Sequence, residues 1–152
     1  MSREHCSLTK VYRFSAGHRL HNKKFTPEEN WEIFGKCTNE LGHGHDYSVE
    51  VKVSGVIDPE TGMVINLGEL NDLMNGIIEE LDHKRLDIEV PFFRENQPSG
   101  ELIVKYIWTR LEPKINKLDG AKLTHLKLWE TPNNYFEYFE NSQPQGVRRH
   151  GR

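Results

Sequence analysis

The chain has 152 residues, the length of one ordinary domain, so an enzyme with a separate cofactor domain is not expected. Its 20 basic and 23 acidic residues leave a formal net charge of -3, which argues against a nucleic-acid binder held by phosphate contacts. No apolar run approaches the roughly 18 residues that cross a bilayer, and the first residues lack a hydrophobic targeting segment. We therefore expect a cytoplasmic protein without a membrane or nucleic-acid partner.

Two extended segments are predicted in the N-terminal half of the chain. Alternate residues from Lys10 to His18 share one face of the first segment, and alternate residues from His43 to Val53 share one face of the second. A period of two residues is typical of a strand with one buried face. Both segments are therefore predicted to be strands of a sheet.

Three helices are predicted from their capping residues. The first begins after Thr26, which is followed by a proline and a capping-box glutamate, and it ends at Gly35. The second begins after Asn66 and the third near Ser99, and apolar residues at helical spacing follow each of them. The side chains expected to face the core from these helices are Trp31, Phe34, Leu67, Leu70, Leu73, Met74, Ile77, Ile78, Leu81, Leu102, Ile103, Tyr106, Ile107 and Leu111.

Closing strands are predicted over residues 123–129 and 135–139, and residues 63–65 are interpreted as a short extension of the sheet. Strands that flank two long consecutive helices, instead of alternating with helices, indicate an antiparallel α+β sheet. Residues 1–140 are taken as a single domain. Residues 141–152 lack periodicity and are predicted to form a disordered tail.

His43 and His45 are two residues apart on a predicted strand, so their side chains project from the same face. Neutral imidazoles that converge in this way are suitable zinc ligands. His18 lies in phase on the first strand, and pairing of the two strands would bring it alongside. Three histidines with the fourth position open describe a catalytic zinc. The alternative is that His43 and His45 are a surface pair, and that His18 is a core histidine whose ring nitrogens are hydrogen-bonded.

Cys37 lies six residues before His43, in a polar loop. As a fourth ligand it would close the metal site and make the site structural, as in a non-enzymatic metal-binding protein. Standing off the metal, it would act as a base or nucleophile, because a nearby cation lowers the pKa of a thiol. A buried, inert cysteine is the third interpretation.

Two acidic positions are further candidates. Glu130 is in phase with Leu126 and Leu128 on an apolar row, where a carboxylate needs either a salt bridge or a ligand with two parallel N–H donors. Asp82 precedes His83 at the end of the second helix. The acid would hold one tautomer of His83, or the helix C-terminus would simply favour its cationic form.

Six motifs, in this order and at this spacing, are similar to one known family over nearly the whole chain. They are Phe14-Ser15-Ala16-Gly17-His18-Arg19-Leu20, Phe34-Gly35-Lys36-Cys37, Gly42-His43-Gly44-His45, Asp58-Pro59-Glu60-Thr61-Gly62-Met63-Val64, Leu81-Asp82-His83-Lys84 and Trp129-Glu130-Thr131-Pro132-Asn133-Asn134. The chain resembles the 6-pyruvoyltetrahydropterin synthase family, which includes the 6-carboxytetrahydropterin synthases. The resemblance implies the tunnelling fold (T-fold): an antiparallel four-stranded sheet with two helices on one face, assembled as a homohexamer of two stacked trimers.

The resemblance also implies an activity. It is the zinc-dependent conversion of 7,8-dihydroneopterin triphosphate to 6-pyruvoyltetrahydropterin, a lyase reaction that releases triphosphate and in which Mg²⁺ can accompany the substrate. The active sites would lie between subunits. The implied roles are zinc ligands for His18, His43 and His45, the proton-abstracting thiol for Cys37, its supporting pair for Asp82 and His83, the pterin anchor for Glu130, and secondary pterin contacts for Ser99 and Glu101.

Two details of the sequence bear on which branch of this family, or of the related folate-linked enzymes, the chain resembles. Five residues stand between Cys37 and His43, the spacing of the pyruvoyl-forming branch, whereas the carboxy-forming branch of queuosine synthesis usually has three. Glu40 stands three residues before His43, where a folate-linked branch carries a glutamate in place of the cysteine. Glu40 is therefore a candidate second base, for side-chain cleavage to 6-hydroxymethyldihydropterin. A protein that binds zinc or pterin without catalysis is the alternative from a different class.

Overall fold

The computed structural model describes residues 3–142 of the chain. Two short 3₁₀ helices lie at Gly35–Thr38 and Glu140–Ser142. The predicted tail therefore begins inside the second 3₁₀ helix, and its residues 143–152 lie outside the described part. The other elements are β1 (His5–His18), α1 (Pro27–Phe34), β2 (His43–Val56), α2 (Leu67–Leu81), β3 (Lys84–Arg85), α3 (Leu86–Glu89), α4 (Pro91–Glu95), α5 (Gly100–Asn116), β4 (Ala121–Thr131) and β5 (Asn134–Phe139).

The sheet has the strand order β3-β1-β2-β4-β5. The three pairs among β1, β2, β4 and β5 are antiparallel, which confirms the predicted α+β class and its four strands. A fifth strand was not predicted, because β3 has two residues and pairs parallel to β1 at Ala16 and Gly17. The sheet is therefore mixed at that edge. Across the described residues, no helix is long and apolar enough to cross a membrane.

The predicted helix starts are confirmed by their hydrogen bonds. Thr26 and Glu29 form the reciprocal capping box that opens α1. The side chain of Asn66 accepts two backbone N–H bonds at the start of α2. The hydroxyl of Ser99 accepts the amide of Leu102 at the start of α5. Each cap satisfies amides that would otherwise lack a partner at a helix terminus.

The core lies between the sheet and the two long helices. Val49, Val51 and Val53 on β2 are fully buried, because alternate residues of a strand point to one face. The helix side chains that complete this layer with complete or nearly complete burial are Leu70, Met74, Ile77, Leu81, Ile103, Val104, Ile107, Trp108, Leu111 and Ile115.

Three sequence predictions are wrong in detail. Leu67, predicted to face the core, is 43% exposed. Trp31 is 56% exposed, because Asn30 is the residue of α1 that faces inward and its buried amide binds the carbonyls of residues 22, 25 and 26. Phe34 is half-buried. Residues 63–65 form no strand, although Ile65 is buried in the core. The short helices α3 and α4 were missed, because four or five residues are too few to show a helical period.

Two glycines are expected to respond oppositely to a methyl group. A Cβ at Gly55 would lie 1.9 Å from the Gly120 carbonyl oxygen, whereas a Cβ at Gly76 in α2 would meet nothing within 4 Å. We expect Gly55→Ala to lower the free energy of unfolding by about 1–3 kcal/mol. Gly76→Ala should raise it by about 0.5–1 kcal/mol. Urea unfolding measures both changes. Equal stability of the two variants would contradict the close approach of Gly55 to the Gly120 carbonyl.

Candidate metal centre and active site

Three histidines converge at the end of the β1–β2 ladder. His18 is the direct partner of His43 in the antiparallel register, and His45 is the partner of Ala16. One ligand atom from each of the three histidines lies within 4.8 Å of the others, and the Nε2 atoms of His18 and His43 are 3.0 Å apart. Their rings meet pairwise at 77°, 87° and 89°. The predicted pairing of the strands therefore forms the cluster.

A backbone carbonyl fixes the tautomer of His18, which is 2% exposed. Its Nδ1 lies 2.7 Å from the carbonyl oxygen of Pro98, and a carbonyl only accepts, so Nδ1 carries the proton. Nε2 is then unprotonated and faces the other two rings. Outer hydrogen bonds of this kind orient metal-bound histidines in proteins. Pro98 was not identified from the sequence, because a backbone acceptor leaves no signature in residue type.

Burial favours the neutral form of His18 and His43. It is the largest cause that lowers the pKa of His18 and of His43, and the neighbouring histidines lower both further. Neutral imidazole is the form that binds a metal ion. Zn–N bonds of about 2.0–2.1 Å at tetrahedral angles would separate ligand nitrogens by about 3.3–3.4 Å. The donor atoms and their spacing therefore fit a zinc-type ion with three protein ligands.

Cys37 lies outside this cluster, and its backbone is bonded to Leu20, two residues after His18. In the described residues, the group of donor atoms within 4.8 Å of one another contains the three histidines and not the Cys37 thiol. This geometry disfavours a closed site with four protein ligands. Burial, followed by the negative charge of Glu130, raises the pKa of Cys37. The lowering predicted from the sequence therefore requires a cation in addition to the groups that the chain itself places around the thiol.

The segment after His18 holds the Cys37 loop. The amide of Leu20 donates to the Cys37 carbonyl at 2.8 Å. The Arg19 guanidinium donates through Nε to the Thr38 carbonyl at 2.9 Å, and the His21 ring contacts the Thr38 hydroxyl at 3.2 Å. His21 had no role in the sequence analysis. These contacts tie the position of the thiol to the strand that carries the first histidine.

Glu130 faces the same site from β4. The β4–β5 register shifts between Trp129 and Thr131, and such a bulge re-aims a side chain. Asn134 donates to the Glu130 carboxylate at 3.4 Å. The charge of Glu130 acts on His18, His43 and Cys37 alike. The carboxylate is therefore within electrostatic range of His18, His43 and the thiol, and no salt bridge to it occurs in the described residues.

Asp82 and His83 form a hydrogen-bonded pair elsewhere on the surface. Asp82 accepts from the Ser15 amide at 2.9 Å and from His83 Nδ1 at 3.0 Å, and these bonds lower the pKa of Asp82. His83 has a φ of 58°, unusual for a residue with a side chain, and its side chain is 81% exposed. It lines a cavity of about 540 Å³ with Ser15, His45 and Asp46, and Cys37 is not part of that lining.

The remaining candidates occupy ordinary positions within one chain. Ser99 caps α5, and Glu101 is exposed in the first turn of that helix. Glu40 is exposed in the turn between the 3₁₀ helix and β2. The structure does not bring Glu40 into the histidine cluster.

The sequence analysis also missed Tyr47. It follows His45 on the same face of β2, stacks on Phe14 at 4.9 Å and is 1% exposed. Among the described residues, its hydroxyl is the one buried side-chain polar atom without a hydrogen-bond partner. Burial, then the charges of Glu130 and Cys37, raise the pKa of Tyr47. The strand alternation places the ring in the core, but only the packing shows that its hydroxyl has no partner.

Comparisons with known proteins agree with one another. Residues 7–141 match the protein family described as 6-pyruvoyl tetrahydropterin synthase. The chain is 46% identical over 126 residues to the 6-pyruvoyl tetrahydrobiopterin synthase of Homo sapiens, which covers 82% of this chain and 85% of that one. A 6-carboxy-5,6,7,8-tetrahydropterin synthase of Aquifex aeolicus is 27% identical over 159 residues, or 88% of this chain and 97% of that one.

A solved structure gives the same result for the fold. The structure of the Caenorhabditis elegans 6-pyruvoyl tetrahydropterin synthase is similar to this one with a TM-score of 0.83 and 36% identity. The match covers 91% of this chain and 99% of that chain. The predicted T-fold is thereby confirmed.

Two tyrosines test the cost of the unpartnered hydroxyl. The Tyr12 hydroxyl donates to Asn71 at 2.7 Å, whereas the Tyr47 hydroxyl has no partner in the described residues. We expect Tyr47→Phe to leave the free energy of unfolding unchanged or to raise it by about 1 kcal/mol, because it removes a desolvated group. Tyr12→Phe should lower it by about 0.5–1.5 kcal/mol. Urea unfolding measures both, and a larger loss for Tyr47→Phe would show that its hydroxyl has a partner.

Proposed function

The chain belongs to the 6-pyruvoyl tetrahydropterin synthase family, and from that premise we propose that it converts 7,8-dihydroneopterin triphosphate to 6-pyruvoyltetrahydropterin with release of triphosphate. It is a lyase. One observation carries the proposal: a three-histidine cluster and a free thiol that is outside the cluster are both under the charge of the same carboxylate, Glu130. That arrangement keeps a metal position open for substrate and leaves a thiol free to take a proton.

His18, His43 and His45 would hold Zn²⁺. The neutral imidazoles, the fixed tautomer of His18 and the spacing of the nitrogens support this assignment. Bound there, the ion supplies Lewis-acid polarisation of the side-chain hydroxyls of the substrate. It also supplies the positive charge that favours a thiolate at Cys37, against the burial that raises the pKa of that thiol.

Glu130 is proposed to bind the pterin ring, and Cys37 is proposed to remove the proton. The Glu130 carboxylate would accept the 2-amino group and N3–H of the pterin, two parallel donors that match its two oxygens. The Cys37 thiolate would remove a proton from a side-chain carbon of the substrate. Triphosphate then leaves with the electron pair of its C–O bond, and internal tautomerisation gives the pyruvoyl side chain. No external oxidant or reductant is needed. Ser99 and Glu101 are proposed as secondary contacts to the pterin, and Mg²⁺ would accompany the triphosphate.

The active site is proposed to be completed by a second subunit. Asp82 and His83 form a hydrogen-bonded acid–imidazole pair, and His83 lines a cavity whose lining does not include Cys37. The exposed imidazole and its strained backbone support a contact made in the assembly and not within the chain. We place this pair against the Cys37 of an adjacent subunit, in a homohexamer of two stacked trimers. The assembly would work in the cytoplasm.

The other readings have less support. The five-residue spacing between Cys37 and His43 favours the pyruvoyl product over the carboxy product. Glu40 is exposed and outside the histidine cluster, so cleavage to 6-hydroxymethyldihydropterin has no geometric support within one chain. A closed, non-enzymatic metal site would need the Cys37 thiol within the ligand set.

The product of the wild-type enzyme and of two variants tests the main proposal. We expect zinc-loaded wild type to release 6-pyruvoyltetrahydropterin from 7,8-dihydroneopterin triphosphate, identified by mass. Cys37→Ala should lower kcat by at least about 10²-fold, because the proton acceptor is lost. Glu40→Gln should change kcat less than about threefold.

The metal content and the product mixture decide between the alternatives. Cys37→Ala should retain zinc and should leave the spectrum of a cobalt-substituted sample unchanged. A thiolate-to-cobalt charge-transfer band that Cys37→Ala removes would instead assign the thiol as a ligand. If Cys37→Ala still formed the hydroxymethyl product and the double variant with Glu40→Gln did not, Glu40 would be the second base.

Subunit mixing tests the shared site. Cys37→Ala and His83→Ala homo-oligomers should each be nearly inactive. Co-expression in equal amounts should restore activity to about one quarter of the sites, because a random neighbour pair supplies both intact residues with that frequency. The matched control is co-expression of Cys37→Ala with Glu130→Ala, two residues of one subunit's site, which should restore nothing. Failure of the first mixture to recover activity, as in the control, would place Cys37 and His83 in the site of one subunit and would contradict the shared site.

A further inference from the structure

A cavity of about 870 Å³ lies between the segment that follows β1 and the segment that precedes α5. Four cationic side chains line it: Arg19, Lys23, Lys24 and Arg94. None of the four is within salt-bridge distance of a carboxylate among residues 3–142. Unpaired cations around one concavity create a positive potential that attracts anions, although the whole chain has a net charge of -3.

The acids of the cavity do not cancel this charge. Asp87 lines the wall, but Arg85 occupies its two oxygens at 2.7 and 3.2 Å, and the Arg19 amide also donates to it. Glu95 is the other acid of the lining. Four cations thus face one carboxylate that is not already paired with an arginine.

Both arginines are held with their ends available. Arg19 uses Nε to bind the Thr38 carbonyl at 2.9 Å, and Arg94 uses Nε to bind the Ile88 carbonyl at 2.9 Å. Each bond fixes the side chain through one nitrogen and leaves the terminal NH₂ groups to donate to a ligand. An arginine held in this way matches the planar, bidentate geometry of a phosphate.

The three histidines, Cys37 and Glu130 are not part of the cavity lining, but two connections link that lining to them. Pro98 lines the cavity, and its carbonyl oxygen is 2.7 Å from Nδ1 of His18. Arg19 lies next to His18 in the chain and holds the residue after Cys37. A ligand in the cavity would therefore contact the segments that position both the first histidine and the thiol.

We propose that this cavity binds the phosphate chain of the substrate, with Lys23, Lys24 and Arg94 as phosphate-binding residues and Arg19 linking the bound anion to the Cys37 loop. The inference rests on the proposed function for the identity of the ligand. It adds the residues that distinguish a phosphorylated pterin from one without phosphate. Cations at a concave site act most strongly on a compact polyanion, which is why the triphosphate group is the part of the substrate assigned to it.

The test compares binding of two pterins to zinc-loaded protein that carries Cys37→Ala to prevent turnover. The probes are 7,8-dihydroneopterin triphosphate and 7,8-dihydroneopterin. We expect Lys24→Gln with Arg94→Gln to weaken binding of the first by about tenfold or more, and to leave binding of the second within about twofold. Lys105→Gln with Lys114→Gln is the charge-matched control, because both lysines are exposed on α5 and outside the cavity.

Calorimetry with inorganic triphosphate separates this inference from the proposed function. We expect the protein to bind triphosphate, to lose about tenfold in affinity in the Lys24/Arg94 variant, and to bind more weakly as salt is raised. This readout survives even if the wild type forms no pyruvoyl product. Equal loss for both pterins, or no loss for either, would overturn the cavity as the phosphate site. Triphosphate binding that the Lys24/Arg94 variant leaves intact would overturn it as well.

Discussion

The register of β1 against β2 is the constraint on which the site depends. It sets His18 directly opposite His43 and places His45 beside Ala16, so three imidazoles meet at one end of the ladder. A slip of one residue would move the whole row of side chains to the opposite face. The fully buried valines of β2 oppose such a slip, because exposing a buried aliphatic side chain costs about 1.5–3 kcal/mol. The hydrophobic core therefore fixes the histidine cluster as well as the fold.

One hydrogen bond joins the sheet to the helical layer at this centre. The Pro98 carbonyl, one residue before the Ser99 cap of α5, holds the proton of His18 on Nδ1. The capping of a helix and the tautomer of a candidate metal-binding histidine are thus set by adjacent residues. At the same site the backbone of Cys37 is held by the residues after β1. The centre is therefore a junction of β1, β2 and the segment that enters α5.

Much of the architecture follows from local rules. The caps at Thr26, Asn66 and Ser99 start helices as predicted, since each places a side-chain acceptor where unpaired amides occur. Trp31 was misplaced because helical period alone does not say which face packs inward. In this molecule the buried amide of Asn30, bound to three carbonyls, takes the inner position. The hydrogen bonds of this buried amide therefore set the orientation of α1, and the hydrophobic Trp31 side chain is left on the exposed side.

The sequence by itself determined the α+β class, the phase of the strands, the three capped helices and the histidines that share a face, because each depends on residue type at short spacing. It also carried the motifs by which the family is recognised. Tertiary structure alone decided that Pro98 fixes His18, that Cys37 stands outside the histidine cluster and that Asp82 is bonded to Ser15 of β1. These relations join segments distant in the chain through backbone atoms, bulges and burial, which residue identity does not encode locally.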